Sequence, residues 1–197
     1  MLYKILHISG HLLVDFAQPL SYLPIGLLTG LILTVILELI FRIIRKHWFT
    51  DGFKKTFLLF ITLSYLTVVL ILTLFSREAG SRTSIDLMPF STWGGSARDH
   101  LYFLENIVLF IPFGMLLPLC FNWFKEKKHC IWTGFAFSVF LELFQLITET
   151  GYCQLDDVMT NTFGAFLGWL LFRMIQNYRA GHTDYTVHKK GEKSNVG

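Results

Sequence analysis

Five times along this chain an apolar run approaches the roughly 20 residues that a helix needs to cross a hydrocarbon core about 30 Å thick. No other feature restricts the fold as much. A backbone inside lipid must satisfy its own hydrogen bonds, and a helix does so within a single segment. The runs cover residues 20–41, 56–75, 103–121, 130–147 and 158–175. Apolar residues make up 53% of the 197 residues and mean hydropathy is +0.50, both above the usual range of a soluble domain. The expectation is an all-α fold, a polytopic transmembrane helical bundle of about five spans, with no length left over for a soluble catalytic domain.

The flanks have their own patterns. In residues 1–19, Leu2, Ile5, Leu6, Leu13, Phe16 and Ala17 fall on one helical face, with Lys4, His7, His11, Asp15 and Gln18 on the other. That pattern predicts an N-terminal amphipathic helix lying on the membrane interface. It has neither the basic start nor the small-residue cleavage site of a secretory signal, so it is read as part of the mature chain. Residues 20–178 form the transmembrane domain, and the polar residues 179–197 read as a disordered cytoplasmic tail. His7 and His11 have i, i+4 spacing, but a polar face accounts for them without a ligand. Cys120, Cys130 and Cys153 lack metal-ligand spacing and read as small apolar residues. No metal and no cofactor is expected.

Lys and Arg placement sets the orientation. Of the 17 such residues, thirteen lie in the first and third loops and at the C-terminal end, leaving only Lys4, Arg77, Arg82 and Arg98 for the other side. The positive-inside rule then places the N-terminus outside and the C-terminus in the cytoplasm. The net charge of +3 thus encodes topology rather than a nucleic-acid surface.

With that topology, polar residues of three spans reach one depth near the outer surface. Glu105 and Asn106 open the third span, Glu142 and Gln145 close the fourth, and Asp156 and Asp157 precede Asn161 at the start of the fifth. Ser138, Glu142, Gln145 and Glu149 share one helical stripe, and Asp157, Asn161, Gly164 and Gly168 share another. Small residues at GxxxG spacing allow a close helix neighbour, so the second stripe is expected to face the bundle interior. An ionisable group at membrane depth needs a partner or a wet cavity. The expectation is an outward-facing polar pocket, with Arg77 as the favoured basic partner. The structural alternative is that the carboxylates cap helix N-termini and the amides knit helices together. Pro112, Gly114 and Pro118 are expected to loosen the third span, and Glu38, near the inner end of the first, to reach for the interface.

Together ENIVLFIPFG, the following ELFQ and DDVMTNTFGAFLG resemble the VanZ-like family of bacterial membrane proteins over roughly residues 77–172. The resemblance implies a helical bundle in the plasma membrane, found largely in Gram-positive bacteria, in a family whose namesake lowers susceptibility to the lipoglycopeptide teicoplanin. By motif it carries over Asn106, Pro112, Gly114, Glu142, Gln145, Asp156, Asp157, Asn161, Gly164 and Gly168. Many members have an Arg shortly before the acid pair, where this chain has Tyr152-Cys153-Gln154. That departure shifts the basic role towards Arg77. The function expected is non-enzymatic: binding of a membrane lipid headgroup, a lipid-linked cell-wall precursor or a lipoglycopeptide at the outer leaflet. The alternative is a membrane enzyme acting on such a lipid through Glu142 or Asp157 as acid or base. A transporter would require a homo-oligomer to enclose a pathway.

Overall fold

The computed structural model describes residues 20–45, 50, 52–75, 85–90, 97–151 and 153–194, and the apolar runs among them are helices. Helix α1 spans Leu23–Arg45 and α2 spans Phe53–Leu70, which continues as a π-helical turn, Ile71–Phe75. Helix α3 is Ala97–Cys120, α4 is Lys127–Thr148, reached through a 3-10 turn at Asn122–Lys125, and α5 is Leu155–Ser194. Each holds a stretch long and apolar enough to cross a membrane: Leu23–Ile44, Phe53–Leu74, His100–Cys120, Lys127–Thr148 and Leu155–Ala180. The last four begin about one turn before their apolar runs, because the first turn of a spanning helix sits at headgroup level and is polar. The tail read as disordered continues α5 to Ser194 instead. It contains no proline to stop the helix. The predicted interfacial helix at residues 1–19 lies outside the described residues.

Two glycine-based contacts set the helix pairing. Helix α5 lies against α3 so closely that a Cβ at Gly164 would stand 2.3 Å from the Ile107 carbonyl oxygen, and one at Gly168 2.0 Å from that of Ile111. From the other side, a Cβ at Gly114 would stand 1.9 Å from the Ala165 carbonyl oxygen. The second contact joins α1 to α2: Gly26 meets Val68, and Gly30 meets Ser64. Both are GxxxG approaches of the expected kind. Between α2, α3, α4 and α5 lies a core of Val69, Leu74, Phe110, Phe113, Leu117, Leu141 and Ala165. Phe113 and Phe137 stack within it, with centroids 5.3 Å apart. Much of α1, including Leu28, Leu31 and Val35, is exposed, as suits a lipid-facing helix.

The prolines do not break α3. Pro118 has no N–H to offer the Gly114 carbonyl one turn back. The thiol of Cys130 on α4 supplies a donor instead, with Sγ 3.6 Å from that oxygen. Near Pro112, the Leu109 carbonyl accepts from the Tyr65 hydroxyl of α2 at 2.6 Å. Side chains of both neighbouring helices therefore donate to carbonyls of α3 near its prolines.

Glu38 does not reach for the interface. It is buried, accepting from the Thr50 hydroxyl and from the Thr50 backbone N–H at 3.4 Å. Thr50 Oγ1 in turn lies 2.5 Å from Thr56 Oγ1. A carboxylate in lipid is costly, and the hydroxyl and backbone N–H of Thr50, from the connection to α2, offset part of that cost.

Candidate functional site

The start of α3, the end of α4, the start of α5 and the π turn after α2 meet at one end of the bundle. The adjacent carboxylates of α5 divide their work there, because successive helical positions point about 100° apart. Asp157 faces α3 and accepts from the Asn106 side-chain amide at 2.8 Å. Asp156 is buried and turns the other way, accepting from the backbone N–H of Phe90 at 2.6 Å. The first carboxylate therefore ties down the connection between the second and third spans, and the second joins two helices.

One turn deeper, Asn161 crosses to α4 and donates to Ser138 Oγ at 2.9 Å. Both residues are buried. Its other polar atom, Oδ1, is withdrawn from solvent with no hydrogen-bond partner among the described residues. An amide carbonyl left in that state at membrane depth costs about 1–3 kcal/mol, so the position is poised to accept a donor.

On α4, Glu142 and Gln145 are both buried and separate. Glu142 accepts from the backbone N–H of Gln154 at 3.0 Å. Gln145 donates to the Thr73 carbonyl at 2.9 Å, inside the π turn, where i→i+5 bonding departs from the α pattern and changes which carbonyls have helical partners. The chain leaving α4 passes close over this amide: a Cβ at Gly151 would stand 2.7 Å from Gln145 Oε1. Glu149, expected on the same stripe, has left it. The helix ends at Thr148, and Glu149 is the left-handed C-cap at φ 55°, exposed to the surroundings.

A short parallel bridge covers this end. Strand β1, Ile85–Asp86, pairs with β2, Cys153–Gln154, in the register Ile85 to Cys153 and Asp86 to Gln154. The bridge places Cys153 beside the acids. Its thiol is pushed above the ordinary range by burial first, then by the charges of Glu142 and Asp157. It is therefore a resting thiol and not an activated thiolate. Among the described residues, no group of three His, Cys, Asp or Glu side chains converges to hold a metal ion.

The expected residues thus share one end of the bundle but contact different partners. Asn106 and Asp157 pair directly, whereas Glu142, Gln145, Asp156 and Asn161 each contact another element. Glu105, beside Asn106, has Oε1 withdrawn from solvent. Arg77 lies outside the described residues. A groove of about 950 Å³ runs alongside, lined by Asp156 but not by Glu142, Asp157 or Asn161. Sequence reasoning missed Ser138 as a partner for Asn161, the Thr73 carbonyl and the bridge at 85–86 and 153–154. Ser138 was on the right stripe and was the one legible signal.

Residues 59–176 match the model of the VanZ/LLP1 family. Protein VanZ of Enterococcus faecium is 38% identical over 93 residues, covering 45% of this chain and 52% of that protein. The chain therefore spans about half the length of the curated relative it matches. No solved structure matches it significantly. The family match extends from α2 into α5, over more than half of the chain, and takes in every described candidate residue at the polar end; this multi-pass membrane protein belongs to the VanZ/LLP1 family.

Proposed function

We propose that the polar end of the bundle binds a polar group of a lipid-linked cell-wall component at the outer leaflet of the plasma membrane, and that occupancy there lowers susceptibility to lipoglycopeptides of the teicoplanin type. The orientation rests on the basic loops, which assign this end to the outside and the N-terminus with it. The observation that carries the reading is the Asn161 carbonyl oxygen, buried without a partner among the described residues, one turn below a carboxylate already engaged by Asn106. Packing alone has no use for an orphaned acceptor. A donor group on a ligand does. The link to lipoglycopeptides comes from the family resemblance and from the relatedness to Protein VanZ.

The test pairs a teicoplanin susceptibility assay with quantified membrane levels for Asn161→Leu, Asp157→Asn and Glu142→Gln. The last two keep shape and much hydrogen bonding while removing charge. Loss of the resistance phenotype at near-normal protein level supports binding. Wild-type susceptibility in all three at normal level assigns the cluster to helix knitting and ends the proposal.

A further inference from the structure

The groove of about 950 Å³ runs between α4 and α5, and its walls are mostly hydrocarbon. Ile131 and Phe135 of α4 face Met159, Phe163 and Phe166 of α5 across it. At the end away from Asp156 the lining changes. Lys127 extends its side chain into the groove and holds its ammonium 5.1 Å from the centroid of the Phe166 ring. A second hollow of about 490 Å³ adjoins there, bounded by Glu126, Lys127, Lys128, Ile131 and Trp132.

Three observations mark this as a headgroup level. Trp123 and Trp132 are exposed beside it, as aromatic residues are at a membrane interface. Lys125, Lys127 and Lys128 cluster there. Glu126, the acid of that turn, pairs with Lys128 at 3.2 Å, whereas Lys127 has no carboxylate partner among the described residues and has only the ring face for company. An exposed ammonium beside a ring face at the mouth of an apolar groove complements one molecule in particular, an anion carrying a hydrocarbon chain.

We propose that this groove is a site for an anionic phospholipid, with the phosphate against the Lys127 ammonium in the smaller hollow and one acyl chain lying along Ile131, Phe135 and Phe163. In the orientation set by the basic loops, the headgroup comes from the cytoplasmic leaflet, whose anionic lipids attract such basic turns. The site is distinct from the polar end and does not depend on a ligand binding there.

Native mass spectrometry of the full chain tests this after exchange into mixtures of phosphatidylglycerol and phosphatidylcholine with identical acyl chains. The wild type is expected to retain phosphatidylglycerol about fivefold over phosphatidylcholine, the worth of one basic side chain at a lipid phosphate. Lys127→Gln should remove that preference, while Lys127→Arg and Lys128→Gln keep it. Ile131→Trp, which fills the groove, should reduce retention of both lipids. Equal retention of the two lipids by the wild type overturns the proposal, as does a preference that survives Lys127→Gln. A lipid-free dimer that Ile131→Trp dissociates also overturns it, since the groove would then be covered by a second copy of the chain.

Discussion

The Asn106 side-chain amide donates to Asp157 Oδ1 at 2.8 Å, joining α3 to α5 at one end of the interface whose deeper part is the close glycine contacts of Gly164 and Gly168. Interhelical hydrogen bonds in lipid average about 0.6 kcal/mol and reach about 1.7, and a charged acceptor moves this one towards the upper figure. A double-mutant cycle on Asn106→Ala and Asp157→Ala, read by thermal unfolding in detergent, should return a coupling of about 1 kcal/mol. A coupling near zero would show that the two side chains are neighbours without being partners.

The glycine contacts are less forgiving than the hydrogen bond. At Gly164 and Gly168 the atoms that an added methyl would strike are backbone carbonyls of α3, which cannot rotate aside. Gly164→Ala and Gly168→Ala should each destabilise by about 1–3 kcal/mol, and leucine at either should lower membrane levels sharply. Gly26→Ala should cost less, because its nearest obstacle is the Val68 side chain at 2.4 Å. A thermal-shift series would rank them. Equal tolerance at all three positions would contradict the backbone contact between α3 and α5.

Cys130 has a role that composition concealed. Its thiol faces the one carbonyl of α3 that Pro118 deprives of a helical donor. Cys130→Ser keeps a donor and should be near neutral, whereas Cys130→Val leaves Gly114 O unsatisfied and should cost about 1 kcal/mol. Equal stability of the serine and valine variants would return the residue to simple space filling.

Which of these features could be read from the sequence follows from their range. The five spans are set by composition over about 20 residues, so their order and number were legible, as were the glycine faces, whose spacing lies within one helix. The identity of partners was not. Asp156 and Asp157 looked like one motif, yet a rotation of about 100° sends one to Phe90 and the other to Asn106. Glu38 looked like a side chain reaching for the interface because its partner, Thr50, lies in a connection with no periodicity to announce it. The π turn at Ile71–Phe75 has no glycine or proline to mark it. The two-residue bridge at 85–86 and 153–154 is too short to alternate.

Cys153 makes the orientation measurable. In the proposed topology it faces outside, while Cys120 and Cys130 lie towards the cytoplasmic ends of their helices. A membrane-impermeant maleimide applied to intact cells should therefore modify Cys153 alone, and modification of Cys120 or Cys130 instead would invert the topology. The pH dependence adds a second check. Burial and the charges of Glu142 and Asp157 raise the thiol pKa, so at a given pH a smaller fraction is the reactive thiolate. The labelling rate should lie below that of a free thiol near neutrality and climb with pH to a midpoint displaced to the alkaline side. Removing one of the charges relieves part of that rise, so Glu142→Gln or Asp157→Asn should move the midpoint back towards neutrality and speed labelling at pH 7.5. A midpoint unchanged by both substitutions would show that neither carboxylate is charged beside the thiol.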